Sequence, residues 1–380
     1  MAETGDNFRL TRREFIKSTL GGAAALTLGG GISLGRPSAA QDRHVRRAKY
    51  FNSLDDNLVQ CILCPNKCSM FPGFRGKCGV RENRDGVLYT LVFGRPCSVH
   101  IDPIEKKPLF HFLPGTSAFS IATAGCNMRC LFCQNWQISQ RLPEETSNVD
   151  LPPEDVVKYA VSRKCSSIAY TYTEPTVFYE YMLETAKIAR RHGIKNVLKT
   201  CGKVNIEPLK ELLQYADAAN VDLKGFDEKF YREICFSHLQ PVLDVIKFYH
   251  RTGTWLEITN LVIPTLNDSD NFIRKLCGFV RDELSYDVPI HFSRFYPTYK
   301  LTNLPRTPVE TVERACRIAR KMGLRYVYSG NVPGHIEEST RCHSCGELLI
   351  HRVGYMIQKN LMQNGQVCPF CGTTIAGVWQ

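Results

Sequence analysis

Three cysteines stand together in one short stretch near the middle of the chain. They are Cys126, Cys130 and Cys133, with the spacing Cys-x3-Cys-x2-Cys, and we call this stretch the three-cysteine loop. Thiolates at this spacing can hold three irons of a cubane cluster and leave the fourth iron without a protein ligand. A small molecule with an amino group and a carboxylate could chelate that iron. Zinc is the alternative, but it needs a fourth ligand that this loop lacks. The loop therefore favours a 4Fe–4S cluster.

A second group of cysteines lies near the end of the chain. Cys342-x2-Cys345 and Cys368-x2-Cys371 are each followed by glycine, and we call these four residues the tail cysteine set. Two such pairs form tight turns that bring four thiolates together. The pattern predicts a zinc ribbon, and rubredoxin-like iron is the main alternative because the same four sulfurs suit it.

A third group, the N-terminal cysteine set, consists of Cys61, Cys64, Cys68 and Cys78. A proline follows Cys64, and Cys-Pro is typical of ferredoxin cluster loops. Zinc fits four cysteines equally well. The sequence predicts a metal site here and leaves open whether it binds zinc or a second iron–sulfur cluster.

The composition supports metal binding over disulfide bonding. The chain has 380 residues, of which 43% are hydrophobic, so it can bury a core without cross-links, yet it carries 17 cysteines. The net charge of +11 is spread along the chain, with no basic block and no interleaving of aromatic and basic residues. We therefore expect no nucleic acid as a partner. The basic surface would suit an acidic electron donor.

The first forty residues have the features of a twin-arginine signal peptide. Arg12 and Arg13 precede a Gly- and Ala-rich apolar run from Leu20 to Leu34, which ends in small residues. This run is shorter than a membrane-spanning helix needs, so we expect no transmembrane span after signal removal. The prediction is export to the periplasm or cell envelope, and a cytoplasmic location if the signal is not used.

From residue 118 onwards, β-branched runs alternate with amphipathic helical stretches. Seven strands and six helices are predicted, and repeats of this kind form parallel sheets with the chemistry at the carboxyl ends of the strands. The predicted fold is α/β, a partial (β/α)6-type TIM barrel in residues 118–335. A cysteine-rich N-terminal segment (41–117) precedes it, and a small zinc-ribbon-like tail (336–380) follows it.

The motifs resemble those of a known family. An aromatic residue, Phe132, precedes the third cysteine of the loop, as in the radical S-adenosylmethionine (SAM) superfamily. The stretches Asp102–Gly115 (DPIEKKPLFHFLPG), Cys133–Trp136 (CQNW) and Tyr328–Gly334 (YSGNVPG) resemble the AmmeMemoRadiSam-system radical SAM enzymes. That branch is similar to the pyruvate formate-lyase activating enzymes. The resemblance implies a 4Fe–4S cluster, SAM, and a low-potential electron donor such as flavodoxin or ferredoxin.

The resemblance also suggests residues that bind SAM. The superfamily has Gly-Gly-Glu-Pro after the second strand, and here Glu174 and Pro175 match while Tyr172 and Thr173 replace the glycines. In the superfamily the glutamate binds the amino group of SAM. The alternative is that Glu174 is an ordinary exposed carboxylate before a proline turn.

The fourth predicted strand ends in Asp222-Leu-Lys224, which resembles a motif near the SAM carboxylate in the activating enzymes. Alternation places both side chains on one face of the strand. A structural ion pair is an equal alternative. Weaker candidates on later strands are Asn260, Pro264 and Arg294. The remaining buried cysteines are expected to act as small hydrophobic residues, and Cys201, at a strand end, is the exception that merits attention.

The resemblance implies reductive cleavage of SAM to a 5′-deoxyadenosyl radical, which takes a hydrogen atom from an unidentified substrate, a small molecule or a protein. No catalytic residue beyond the cluster is predicted. One alternative is a glycyl-radical-enzyme activase that acts on a partner protein. A second alternative, from a different class, is a non-enzymatic zinc-ribbon binding protein.

Overall fold

The described part of the chain begins with a small antiparallel module that carries the N-terminal cysteine set. The computed structural model describes residues 43–362 and 365–380, so the predicted export signal lies outside the described residues. Six short strands form two three-stranded sheets, ordered β1-β6-β5 and β2-β3-β4. Their bounds are Arg46–Arg47 (β1), Phe51–Ser53 (β2), Val59–Cys61 (β3), Ser69–Met70 (β4), Arg81–Arg84 (β5) and Val87–Thr90 (β6).

Eight strands form the central sheet, and their spatial order follows the chain from β7 to β14. The first pairs antiparallel with the second, and each later strand pairs parallel with the one before it. The bounds are Ser98–Pro103 (β7), Ser117–Ala122 (β8), Ser167–Tyr170 (β9), Lys195–Thr200 (β10), Ala218–Asp222 (β11), Trp255–Val262 (β12), Ile290–Arg294 (β13) and Val327–Gly330 (β14). The predicted strands correspond to β8–β14 and are confirmed, with shifts of a residue or two at their ends.

Helices connect the parallel strands. The α-helices of the described residues are Trp136–Ser139 (α1), Pro153–Ser162 (α2), Tyr179–Arg191 (α3), Ile206–Leu212 (α4), Glu228–Glu233 (α5), Gln240–Arg251 (α6), Asp270–Glu283 (α7) and Val309–Lys321 (α8). The six predicted helices are present, and α1 and α5 are additional. Strand and helix alternate as in other α/β proteins with a parallel sheet. In residues 43–362 and 365–380 no helix combines the length and the hydropathy that crossing a membrane requires.

The two faces of the central sheet differ in chemistry. One face is apolar: Ile168, Leu198 and Val221 are buried and belong to the same hydrophobic cluster as residues of the surrounding helices. The strand register places polar side chains together on the opposite face, namely Lys199, Asn220, Asp222, Glu257, Thr259 and His291. A parallel sheet that only supports helices is apolar on both faces. The polar face is therefore where chemistry is expected.

The tail pairs three antiparallel strands, Thr340–Arg341 (β15), Leu348–Val353 (β16) and Met356–Asn360 (β17). Its apolar residues share one buried cluster with Phe110, from the segment between β7 and β8, and with Tyr328 of β14. Arg352 of β16 is fully buried and donates a hydrogen bond of 2.8 Å to the Phe110 carbonyl. The tail therefore shares its core with the central domain instead of folding as a separate unit.

Candidate active site

The three-cysteine loop follows β8 and lines a cavity of about 340 Å³ at the carboxyl ends of the parallel strands. Gly125, just before the loop, has a φ of +89°. A Cβ at this position would lie 2.5 Å from the carbonyl oxygen of Cys78. The loop is thus held against the N-terminal module at a point where only glycine fits.

The surroundings of the three sulfurs differ. Burial raises the pKa of both Cys126 and Cys133, although the Ser139 hydroxyl lies 3.1 Å from the Cys133 sulfur. By contrast, a hydrogen bond with the thiol of Cys235 lowers the pKa of Cys130. The sequence indicates only that Cys235 is a buried apolar residue. Its contact with Cys130 depends on the loop before α6 and is visible only in the fold.

The sulfurs of the three-cysteine loop line one cavity but do not form a compact single-ion set. In the part of the chain that the structure describes, only the tail cysteine set brings three or more potential ligand atoms within 4.8 Å of one another. The three-cysteine loop does not meet that limit, although all its members line one cavity. A cubane attaches each thiolate to a different iron, so its ligands stand farther apart than those of one ion. The residues present therefore fit a 4Fe–4S cluster.

Asp222 lies at the carboxyl end of β11 between two lysines. The Lys224 ammonium is 3.1 Å from one carboxylate oxygen of Asp222, and Lys199 donates to the other oxygen. Burial opposes the ionisation of Asp222, but the two lysines lower its pKa to about 2. Burial also opposes the charge of Lys224, and Asp222 raises its pKa well above the usual value. All three groups line the cavity, so the ion pair and the candidate site coincide.

Glu174 is buried at the end of β9, and its carboxylate is already hydrogen-bonded. One oxygen accepts bonds from the Thr176 hydroxyl at 2.7 Å and the Thr200 hydroxyl at 2.8 Å. The other oxygen accepts the Cys201 backbone N–H at 2.7 Å. Pro175 begins a short 3₁₀ turn directly afterwards. Glu174 therefore ties the end of β9 to the end of β10, and it also lines the cavity.

Tyr172 occupies a position where the superfamily has glycine, and the backbone shows why glycine is usual there. Its φ is +65°, in the left-handed region that costs a residue with a Cβ extra energy. Two contacts hold this conformation. The Asn135 side chain donates 2.9 Å to the Tyr172 carbonyl, and the Tyr172 hydroxyl bonds Asp102. The departure from the family pattern is thus accommodated by polar contacts on both sides of the residue.

The weaker candidates lie outside the cavity lining. Asn260 donates to the Leu223 carbonyl at 2.8 Å, and Arg294 donates to the Thr307 carbonyl at 2.5 Å. Both side chains therefore stabilise loops. Later strands contribute other residues to the lining, namely Thr259, Leu261, Ser293 and Asn331.

The structure adds lining residues that the sequence does not indicate. Lys106 and Pro108 come from the segment between β7 and β8, and Tyr355 comes from the turn between β16 and β17. The tail therefore contributes directly to the cavity. The DPIEKKP stretch is one of the segments on which the family resemblance rests, but nothing in its residue types shows that it lines the same cavity as the three-cysteine loop.

The tail cysteine set has the geometry of a single-ion site. All four sulfurs lie within 4.8 Å of one another, with separations of 3.6 Å between Cys342 and Cys371 and 3.8 Å between Cys345 and Cys368. Tetrahedral zinc with Zn–S bonds of about 2.3 Å would place its sulfurs roughly 3.8 Å apart. The donor set therefore fits one tetrahedral ion.

The N-terminal cysteine set is also brought together. Its four members line one small cavity of the N-terminal module, on the other side of the three-cysteine loop from the large cavity. Arg81 and Asn127 complete part of the wall.

Comparisons with known proteins agree with this site. The family model described as the radical SAM superfamily matches residues 120–277. An uncharacterized protein of Methanocaldococcus jannaschii is 48% identical over 332 residues, which are 87% of this chain and 99% of that protein. The pyruvate formate-lyase 1-activating enzyme of Escherichia coli K12 is 24% identical over 54% of this chain and 89% of its own length.

Solved structures are more distant. A radical SAM methyltransferase from Sphaerobacter thermophilus has 16% identity and a TM-score of 0.45, over 62% of this chain and 71% of its own. The matches do not support the non-enzymatic zinc-ribbon alternative. The chain is an enzyme and belongs to the radical SAM superfamily.

Proposed function

We propose that this enzyme cleaves SAM reductively at a 4Fe–4S cluster held by the three-cysteine loop and uses the resulting 5′-deoxyadenosyl radical to take a hydrogen atom from a substrate. One observation carries the proposal: Cys126, Cys130 and Cys133 open onto a cavity that is also lined by the charged groups Glu174, Lys199, Asp222 and Lys224, among apolar residues. The chain's own task is to bind SAM, to orient the substrate hydrogen and to keep water away.

Asp222 and Lys224 are the residues that we expect to meet the methionine end of SAM. The strongly held positive charge on Lys224 suits a carboxylate, and Asp222 suits an ammonium. Glu174 has one carboxylate oxygen with a single hydrogen bond, so that oxygen has room for a second donor such as the SAM amino group. Pro175 fixes the turn that presents Glu174.

The substrate is proposed to lie toward Lys106 and Tyr355, at the part of the cavity that the three-cysteine loop does not form. The cavity has the volume of one drug-sized ligand, which is the size of SAM itself. The substrate is proposed to be a small molecule or a single peptide group that meets SAM at the mouth of the cavity. The activase alternative retains support from the activating-enzyme relatives, one of which acts, by its name, on pyruvate formate-lyase.

An anaerobic assay tests the proposal. Protein supplied with SAM and a strong reductant should release 5′-deoxyadenosine and methionine, and Cys130→Ala should abolish both the release and the cluster absorption. Cys165→Ala is the matched control, because Cys165 is equally buried but lies outside the cavity lining. Undiminished release from Cys130→Ala would refute the proposal.

The substrate class can be tested separately. Deuterium transfer into 5′-deoxyadenosine from a candidate small molecule supports the first form of the proposal. A glycyl radical signal that appears on an added partner protein, with no small-molecule transfer, supports the activase form. Either result leaves the cleavage assay unaffected, so the two questions are independent.

We further propose that the central sheet curves as a partial (β/α)6 barrel and that the tail cysteine set holds zinc. The sequential order from β8 to β14 supports the barrel, since each strand pairs with the next in the chain. The compact set of four sulfurs supports zinc. The proposed domain limits are residues 41–117, 118–335 and 336–380.

Export by the twin-arginine pathway is proposed from residues 1–40 alone. Arg12 and Arg13 supply the paired arginines of such signals. Replacing both by lysine should retain the protein in the cytoplasmic fraction of a host with this pathway. An unchanged distribution between periplasm and cytoplasm would overturn the proposal. The electron donor is proposed to be a flavodoxin or ferredoxin.

A further inference from the structure

The N-terminal cysteine set surrounds a cavity that the proposed reaction does not use. Cys61 ends β3, Cys64 and Cys68 lie in the loop before β4, and Cys78 lies in the loop before β5. Four thiols from one strand end and two loops thus line one small cavity. Disulfide bonds do not account for them, since all four cysteines are free.

A buried arginine in the wall of this cavity has an unused donor. Only 2% of Arg81 is exposed, and its terminal nitrogens bond the Glu180 carboxylate and the Lys49 carbonyl. Its Nε–H has no hydrogen-bond partner within the described residues. Leaving a charged donor buried and unpaired is costly. Arg81 lines the cavity, so an anionic group that fills the cavity would supply an acceptor for this N–H.

Backbone amides are also directed at the sulfurs. Lys77 N–H donates to the Cys68 sulfur at 3.4 Å. The remaining sulfurs of the set receive amides two residues ahead, those of Leu63, Asn66 and Val80. The same arrangement occurs in the three-cysteine loop, where Met128 N–H lies 3.4 Å from the Cys126 sulfur. Such donors stabilise thiolates and the sulfurs of bound clusters.

The N-terminal set differs from the tail cysteine set in how its sulfurs are grouped. The four tail sulfurs lie within 4.8 Å of one another, and among the described residues no other set of three or more potential ligand atoms is as compact. In this respect the N-terminal set is like the three-cysteine loop and unlike the tail. A cubane binds each thiolate to a different iron, so it does not require the compact set of sulfurs that one ion requires.

We propose that Cys61, Cys64, Cys68 and Cys78 hold a second iron–sulfur cluster of the cubane type, with the Arg81 Nε–H donating to one of its sulfurs. Four protein thiolates leave no open iron, so this cluster does not bind SAM. Its available chemistry is the transfer of one electron: a flavodoxin- or ferredoxin-class donor is oxidised by one electron as the cluster passes from the 2+ to the 1+ state.

The position of this site agrees with that role. Asn127 lines the N-terminal cavity, and its neighbour Cys126 lines the large cavity. The two sites are therefore separated by little more than the backbone of the three-cysteine loop. The proposal stands apart from SAM cleavage, because it concerns a different set of ligands.

Iron and sulfide analysis of anaerobically reconstituted protein tests the proposal directly. The full chain should hold about eight irons, and a Cys126→Ala/Cys130→Ala/Cys133→Ala variant should keep about four. A Cys61→Ser/Cys64→Ser variant should also keep about four, and still show SAM-dependent changes in its spectrum. An iron-free three-cysteine variant, or one with zinc in place of the second cluster, would overturn the proposal.

Electron paramagnetic resonance of the unaltered protein keeps the test decisive even if a variant fails to fold. Reduction by dithionite should give two cubane signals. Addition of SAM should shift one signal and leave the other unchanged, because only one cluster has an open iron. A single signal that shifts completely would refute the second cluster, whereas two signals without a shift would leave it standing and count against the proposed SAM site.

Discussion

The side chain of Asn66 donates a hydrogen bond of 2.9 Å to the backbone carbonyl of Asn127. Asn66 belongs to the N-terminal cysteine set's loop, and Asn127 belongs to the three-cysteine loop. Asn127 in turn donates from its own side chain to the Lys203 carbonyl at 2.7 Å, beyond the end of β10. These two hydrogen bonds therefore connect the N-terminal module, the three-cysteine loop and the segment that follows β10.

The close approach of the N-terminal module to the three-cysteine loop predicts that substitution of Gly125 destabilises the protein. In Gly125→Ala the methyl group would meet Cys78 and Val80 at 2.5 and 2.7 Å, in addition to the left-handed backbone. We expect the melting temperature and the iron content to fall together. Gly193→Ala is the control, because Gly193 has a φ of +72° but nothing within 4 Å of its Cβ position. Equal effects from the two changes would contradict the close approach.

Glu174→Gln should lower the stability of the fold as well as the affinity for SAM. An amide offers a single acceptor oxygen, so the donors now shared between two carboxylate oxygens cannot all be satisfied. Loss of hydrogen bonds to a charged group costs about 1.5–3 kcal/mol. Chemical unfolding and SAM titration measure the two effects, with Glu184→Gln on the exposed face of α3 as the control. Unchanged stability would mean that the carboxylate serves the ligand alone.

Replacing Cys345 and Cys371 by serine should release one metal ion and make the tail sensitive to proteases. The metal would join the two cysteine pairs, and without it the loops that carry them lose their cross-link, although the strands of the tail still pack against Phe110 and Tyr328. SAM cleavage without substrate should persist, because the three-cysteine loop lies elsewhere. Substrate KM should rise, since Tyr355 would no longer line the cavity. Cys277→Ala is the control, and loss of the cluster signal in the double variant would contradict this prediction.

His111 should make stability depend on pH below neutrality. It is fully buried, donates from Nδ1 to the Ala376 carbonyl at 2.6 Å and accepts at Nε2 from the Tyr328 hydroxyl. Burial lowers its pKa to about 4, although the charge of Glu257 opposes the shift. Between pH 6.5 and 4 the unfolded chain binds a proton that the folded chain does not, so stability falls as pH falls.

The loss of unfolding free energy reaches about 1.4 kcal/mol at pH 5.5 for a single histidine whose pKa is shifted in this way. The His111→Asn variant has no titrating group at this position. The amount by which its free energy of unfolding is lower than that of the unaltered protein should therefore shrink between pH 7.5 and 5.5. Urea unfolding at both pH values measures it. His291 also faces Glu257 and is present in both proteins, so its contribution largely cancels. If the two proteins differ in free energy of unfolding by the same amount at both pH values, the pH dependence belongs to a group other than His111.

The sequence predicts the regular part of this molecule well. The β-branched runs and helical periods of residues 117–330 are long and repeated, so β8 to β14 emerge with small shifts at their ends. The N-terminal strands are only two to four residues long, which is too short for a repeating hydrophobic pattern to be recognised. Contacts are harder to predict than elements. Lys199 stands at a strand end in the sequence, but its pairing with Asp222 depends on the register of β10 and β11.

Contacts between distant segments could not be predicted. Cys235 resembles an ordinary buried residue until the loop before α6 brings it to Cys130. Likewise, Tyr355 belongs to the tail in sequence and to the cavity in space. A single sequence specifies periods and short motifs, whereas these contacts arise from the way in which whole segments pack.

The position of Tyr355 separates, along the chain, the residues proposed to bind SAM from a residue proposed to contact the substrate. The cysteines and the charged pair that are proposed to bind the cluster and SAM lie between residues 126 and 224, whereas Tyr355, which also lines the cavity, belongs to a turn near the end of the chain. If those proposed roles hold, substitutions in residues 340–360 will change which molecule the enzyme accepts without changing how the radical is made. For the same reason, a shortage of metal at the tail cysteine set would act on substrate choice first.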